Sequence, residues 1–273
     1  MQWNAKIVVM GAGDQGTATC IRLFRAGLRP LIVESGTPSD LHYFRNFSDL
    51  VYCEHKQVDE IEGIFLGTVD GTSAFNIEDI SEAFDNRCIP LIAGEFDFLA
   101  GQLQPEVLID CREYAGITGF EWESFPYVIR IGTKYDVGTD GHVVVGCATA
   151  DAGRVFYKPH HQNPQDQTDN QTIRAPIEGV FLSEIEPGGS VNIRQTLGNI
   201  NGISIMAPQD GCITGILHSG HIVAKKQPLA EISFRKPANS DLKEIPLRCI
   251  SVSGGVLEAV MAYLWNSSLK TWT

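Results

Sequence analysis

Short apolar runs, each closed by a glycine, a proline or a charged turn, organise the first half of the chain. "AKIVVMGAG" puts an unbroken apolar stretch ahead of a glycine turn and predicts a buried strand. "TATCIRLFRAG" instead spaces Ala18, Ile21, Leu23, Phe24 and Ala26 around a mostly apolar helical face, with Gly27 placed to end it. "PLIVES" predicts a second strand ending in Glu34. "LVYCEHKQVDEIEGIFLGTV" splits into two strand-like runs about a charged stretch, the pattern of a hairpin. "NIEDISEAF" has helical spacing, whereas "IPLIAG", "PEVLIDCR", "PYVIRIG" and "VVVG" have the length of strands. Strands alternating with helices predict a parallel sheet.

The second half follows another rule. Residues 173–200 align without a gap on 205–232 at an offset of 32. The matches include Ala175/Ala207, Pro176/Pro208, Gly179/Gly211, Gly188/Gly220, Gln195/Gln227 and Leu197/Leu229. Each copy consists of short apolar strands punctuated by Gly and Pro, and neither buries its apolar face alone. Asn201-Gly202 joins the copies as a type I′ hairpin turn. Beyond the repeat, "IPLRCISVSGGVLEAVMAYL" reads as a strand and then a helix, with Val256, Leu257, Val260, Met261 and Leu264 in one stripe. Gly254-Gly255 at its start is a sharp turn or an anion-binding step.

Between the first predicted strand and helix, Gly11-Ala12-Gly13-Asp14-Gln15-Gly16 matches G-x-G-x-x-G. Gly11 allows the tight turn, Gly13 lets the backbone approach a pyrophosphate, and Gly16 lets the helix lie on the strand. Glu34 follows Gly13 at the distance where an acid accepts from a ribose hydroxyl. Gly11, Gly13, Asp14, Gln15, Gly16 and Glu34 are therefore the candidate cofactor-binding residues, for NAD or another adenine or pterin nucleotide. The loop "TKYDVGTDGH" follows the strand "YVIRIG" and carries Lys134, Tyr135, Asp136, Asp140 and His142. Such a set can transfer protons, and Asp136, Asp140 and His142 are the candidate catalytic residues. A solvated Asp/Gly turn explains the same residues equally well. "CATADAGRV" has small residues that admit a close neighbour, either another chain or a ligand.

Composition narrows these readings. The formal net charge of −12 repels phosphate backbones and argues against a nucleic-acid partner. Seven scattered cysteines without a CxxC pair predict free thiols in a reducing compartment, hence the cytoplasm. His160-His161 and the pair His218/His221 lack a ligand constellation, and no metal is expected. No run of 18 consecutive apolar residues occurs, so no membrane span is expected. A homo-oligomer is compatible with all of this.

The doubled "AP-x-x-G" pattern resembles the biotinyl/lipoyl carrier fold, a barrel-sandwich hybrid of two similar halves. Carriers hold their prosthetic group on a lysine in the joining hairpin. The joint "GNINGISI" has none, and Lys225 and Lys226 lie in a later turn, so no covalent biotin or lipoyl group is expected. The fold class expected is α/β: a Rossmann-like parallel sheet over 1–157, a linker over 158–171, a barrel-sandwich hybrid over 172–235, and a closing strand and helix over 236–273. Nearly the whole chain, from "GAGD" through "PEVLIDCR", "GRV" and the doubled module to "GGVLEA", is similar to the selenium-dependent molybdenum hydroxylase system proteins of the YqeB type. Asp140 and His142 match that family's Asp-x-His element, while its Pro-Gly-Phe and Glu-Thr elements are missing here. The resemblance implies an accessory or maturation role with a molybdenum hydroxylase as partner. The competing readings are an NAD-dependent oxidoreductase, with the 133–142 loop supplying acid and base, and a non-catalytic scaffold.

Overall fold

A computed structural model describes residues 6–69, 76–112, 121–159, 170–235 and 242–270. The described residues of Met1–Gly36, Asn46–Asp166 and Ile245–Thr273 form one compact unit, and those of Thr37–Arg45 and Gln167–Glu244 form a second. Most of the expected linker lies outside the described residues, as do His160 and His161.

The first unit is built on strands β1 (Ile7–Met10), β2 (Pro30–Glu34), β3 (His55–Val58), β4 (Ile61–Val69), β5 (Cys88–Gly94), β6 (Val107–Asp110), β7 (Val128–Ile131), β8 (Val143–Val145) and β9 (Val155–Phe156). They form a nine-stranded sheet in the order β3-β4-β5-β2-β1-β6-β7-β8-β9. Helices α1 (Asp14–Arg25), α2 (Ile77–Asp85), α3 (Phe96–Leu103) and α4 (Leu247–Lys270) complete the unit. Strands β1, β6 and β7 are buried along their whole length, and successive residues feed opposite faces. Ile7 and Val9 join one core cluster with Ile21 of α1 and Val256 of α4. Val8 and Met10 join the other with Ile80 of α2 and Leu99 of α3.

The second unit holds β10 (Asn170–Arg174), β11 (Gly179–Leu182), β12 (Ser190–Val191), β13 (Thr196–Ile200), β14 (Ile203–Met206), β15 (Gly211–Ile216), β16 (His221–Val223) and β17 (Pro228–Ser233). These form two antiparallel four-stranded sheets, β10-β17-β15-β12 and β14-β13-β11-β16. The offset of 32 carries β10 to β13 onto β14 to β17, so each sheet takes two strands from each copy. Its identities hold turns. Ala175 N donates to Gln227 O at 2.9 Å, and Ala207 N to Gln195 O at 2.8 Å. The side chains of Gln195 and Gln227 accept from Asn192 N and Ala224 N. Arg194 and Lys226, equivalent positions, both take positive φ, 66° and 72°. Asn201 (φ 50°) and Gly202 (φ 83°) make the joining turn. Residues 37–45 contribute Leu41 to this unit's core, where Ile216 N donates to Leu41 O at 2.9 Å.

This topology corrects the expected fold class in both halves. The first sheet is mixed, with β3 and β9 antiparallel at its edges. No α-helix connects β2 to β4 or β7 to β8. The first departure is the hairpin that the sequence of residues 50–69 predicts: Asp59 and Glu60 (φ 47° and 65°) fold the chain straight back from β3 into β4. Residues 132–142 explain the second: three glycines and no apolar period leave nothing for a helix to bury. In the second unit no ladder joins the two sheets among the described residues, so the repeat does not close into one barrel-sandwich hybrid of the biotinyl/lipoyl kind.

The C-terminal segment differs as well. "LRCISV" is helical from Leu247, not a closing strand. Gly255 lies inside α4, not at a turn, and a Cβ there would stand 2.2 Å from Gly153 O. The small residues of "CATADAGRV" therefore admit α4 of the same chain: Ser251 Oγ donates to Ala152 O at 2.9 Å. By mean hydropathy (1.4) Leu247–Ser267 is long and apolar enough to cross a membrane, which a count of unbroken apolar residues misses. In this unit its Cys249, Val252, Val256, Ala259 and Val260 are buried against the core.

Candidate functional site

The glycine turn forms as its sequence demands. Gly11 has φ 90°, and its N donates to Val33 O at 2.9 Å. A Cβ on Gly16 would stand 1.8 Å from Gly11 O, so α1 reaches the turn only because residue 16 is glycine. Gly13 is the N-cap of α1. Glu34 closes the turn: its Oε2 accepts from Ala12 N at 2.6 Å and its Oε1 from Ser35 N at 2.7 Å. Asp14 Oδ1 accepts from Asn46 Nδ2 at 2.9 Å. Gln15 is buried and donates from Nε2 to Thr19 Oγ1 (3.3 Å) and Cys249 O (3.4 Å).

Beside this turn, at the carboxyl ends of the parallel strands, lies a cleft of about 250 Å³. Gln15 lines it from α1, Cys111 and Arg112 from beyond β6, residues 131–135 from the end of β7 onward, Cys147 from beyond β8, and Arg248 and Cys249 from α4. The chain progresses from β1 to β2 and β5 on one side and to β6, β7 and β8 on the other. The cleft thus sits where an open α/β sheet reverses its strand order, the usual place for a ligand. Among the described residues its lining carries three cations, Arg112, Lys134 and Arg248, and no carboxylate.

Arg112, which lines the cleft, belongs to an ion cluster with Asp110 and Arg130. Asp110 is fully buried and receives Arg112 side-on, Nε to Oδ1 and Nη2 to Oδ2, both at 2.9 Å. Arg130 Nη1 donates to the same Oδ2, and Arg130 Nε donates to Asp140 O at 2.9 Å. One carboxylate therefore faces two guanidiniums. Burial works against the Arg112 charge, but the hydrogen bonds and charge of Asp110, with Tyr135 and Glu34, outweigh it and raise its pKa. Arg130 stacks over the Tyr135 ring at 5.0 Å. Burial, then the charge of Asp110, lifts the Tyr135 phenol. Burial also lifts the Cys111 thiol well above its ordinary value, so it stays a thiol that donates to Thr19 Oγ1 at 3.8 Å.

Of the sequence candidates, Gly11, Gly13, Gly16 and Glu34 meet at the turn and Gln15 enters the cleft. Asp136, Asp140 and His142 do not line it. Asp140 Oδ2 accepts from Asp136 N at 2.8 Å and Asp140 N donates to Asp136 O, so the two aspartates close a turn on each other. His142 stands at the amino end of β8. Its Nδ1 accepts from Val128 N at 3.1 Å, and its ring lies 5.0 Å from Trp122 and 5.6 Å from Tyr127. Burial depresses its pKa, which keeps it neutral with its proton on Nε2. In the second unit Tyr43 stacks on His218 at 3.5 Å. Among the described residues no three His, Cys, Asp or Glu stand close enough to hold a metal ion. A flatter depression of about 630 Å³ runs along α2, but Glu78, Glu82 and Asp85 make it a solvated acidic helix face.

The molecule thus combines an α/β unit bearing a cation-lined cleft with an antiparallel unit built from a repeat. It matches no protein-family model. It is similar to the uncharacterized protein YqeB of Escherichia coli (strain K12), 25% identical over 266 residues, which supports a YqeB-like assignment. The match takes in 93% of this chain and 47% of YqeB, so the chain spans about half the length of that relative. Among solved structures it is similar to a protein assigned to the succinylglutamate desuccinylase/aspartoacylase family from Shewanella amazonensis SB2B (12% identical, 86% of this chain and 92% of that one, TM-score 0.26). It is also similar to an aspartoacylase family protein of Mesorhizobium loti MAFF303099 (11%, 84% and 85%, TM-score 0.26). At those TM-scores the likeness assigns neither a fold nor an activity.

Proposed function

We propose that this chain is a cytoplasmic accessory or maturation protein of a molybdenum hydroxylase system, and that it holds a nucleotide or nucleotide-bearing cofactor in the cleft beside Gly11–Gly16. The cleft carries the reading: an acidic protein gathers Arg112, Lys134 and Arg248 around one concavity at the strand-order reversal. Guanidinium and ammonium donors such as Arg112 and Lys134 suit a phosphate-bearing ligand. The partner rests on the resemblance of "GAGD", the doubled module and "GGVLEA" to the selenium-dependent hydroxylase system proteins. A catalytic reading through Asp136, Asp140 and His142 lacks support, because the aspartates close a turn and His142 holds Val128 N.

The scaffold reading keeps one observation in its favour. Val180, Leu182, Met206 and Ile222 are exposed on one sheet of the repeat. The test is co-purification of the tagged chain with a molybdenum hydroxylase, with and without Lys134→Ala. Recovery that depends on Lys134 and on added nucleotide supports the proposal. Recovery indifferent to both leaves the scaffold, and no recovery removes the accessory role.

A further inference from the structure

The geometry points to a terminal phosphate monoester as the group the cleft accepts, in place of the diphosphate bridge of a dinucleotide, with Arg112 setting that choice. The inference rests on the reading of the cleft as the ligand site and specifies what enters it.

Three observations carry it. First, charge. Arg112, which shares Asp110 with Arg130, and Lys134 both line the cleft. A phosphate monoester brings about −1.5 to −2 at pH 7, enough to answer Arg112 and Lys134 together. Second, geometry at Arg112. Its Nε and Nη2 are committed to Asp110, so Nη1 is left to a ligand oxygen. Third, access. A dinucleotide lays its diphosphate over the glycine turn and its ribose against the acid after the second strand. Here Arg112 covers Gly11, its Cγ 3.1 Å from where a Cβ would stand. Glu34 spends an acceptor of each oxygen on Ala12 N and Ser35 N and does not line the cleft. The cleft runs the other way, toward Lys134, Tyr135 and Cys147, and its 250 Å³ falls below the range of about 300–1,000 Å³ of pockets that enclose a whole ligand. One anionic end enters and the remainder stays outside.

The test is calorimetric titration of the full chain with AMP, adenosine, inorganic phosphate and NAD. The expected result is saturable binding of AMP, competition by inorganic phosphate, and no competition by adenosine. NAD should bind at least about tenfold more weakly than AMP, the loss of one charge-assisted hydrogen bond. Lys134→Ala, at an exposed position, should weaken AMP by about tenfold at unchanged thermal stability. Arg112→Lys, which keeps the charge and loses the fork, should weaken AMP and narrow its advantage over NAD. NAD binding as tightly as AMP, with both sensitive to Lys134→Ala, overturns the monoester inference while the cleft remains a nucleotide site. Adenosine competing as well as AMP overturns it too. AMP binding that neither substitution alters overturns its placement in the cleft. No binding of any of the four overturns the inference and the reading beneath it together.

Discussion

In β1, β6 and β7 every residue is buried, whereas in β11 and β14 one wholly buried residue, Phe181 or Ile205, has exposed Leu182 or Met206 as its neighbour. The first unit has helices on both sheet faces, so its strands read as continuous apolar runs. The second exposes one side of the β14-β13-β11-β16 sheet, and buried and exposed positions mix along β11 and β14. The same contrast governs polar groups. Where a sheet is covered on both sides, a charge such as Asp110 survives only with partners, and those partners build the site. Where one face is open, polar and apolar side chains interchange without forming one.

Substitutions at matched positions can break or sharpen this contrast. The largest effect is expected at Gly16→Ala, whose Cβ would meet Gly11 O at 1.8 Å. We expect a loss of more than about 4 kcal/mol, read as faster hydrogen exchange in β1 and α1 with β11 and β15 unchanged. Equal loss of protection in both units would show that they unfold as one. Next comes Asp110→Asn, which leaves Arg112 and Arg130 facing a neutral amide at a buried site. It should cost about 3–5 kcal/mol, measured by urea denaturation, and a change under 1 kcal/mol by that measure would mean the guanidiniums are solvated.

Acidification should weaken both units, at different pH. Burial depresses His142 in the first unit, and burial then His218 depress His221 in the second. Unfolded imidazoles take protons as the pH falls below about 6.5, while the folded ones resist, so stability declines from there toward the lower folded values. Glu231 adds a loss in the second unit alone. The His42 hydrogen bond holds its carboxyl below the usual range against the opposing effect of burial. That stabilisation is complete above about 4.3 and disappears as the pH falls through the lower folded value. Urea midpoints should fall from pH 7 to 5, and His221→Gln should flatten only the part followed in β15 to β17. The smallest effect belongs to Ile222→Ser. This residue is 78% exposed, and the change should stay within about 0.5 kcal/mol by thermal melting.

Much of the first unit is legible because its determinants are local. Gly11, Gly16 and the apolar run before them specify a turn that only glycine permits, and in the second unit Asn201-Gly202 specifies the joining hairpin just as locally. The site is harder to read, because the ions clustered with Arg112 sit in strands that read as core. Arg130 inside "VIRI" and Asp110 closing "LID" were the signal, since an ion in a buried strand needs a counter-ion nearby. The loop 133–142 drew attention by composition, yet only Thr133, Lys134 and Tyr135 of it line the cleft. Strand propensity misplaces the start of α4, because Ile250 and Val252 favour strands, whereas burial of Cys249, Val252 and Val256 at helical spacing sets the segment as a helix. Nothing near residues 37–45 announces that they complete a core formed after residue 167, because that contact is remote in sequence.

That remoteness has a consequence for synthesis. The segment around Leu41 leaves the ribosome well before β10 exists, and the first unit lacks one wall of its core until Val256 and Val260 are made. Each sheet of the repeat likewise needs strands from both copies. The second unit therefore waits for β17 and the first for α4, so the nascent protein carries open sheet edges and an uncovered apolar face until those segments are made. Contacts so remote in sequence slow folding, and edges left open in the meantime are exposed to pairing with other chains.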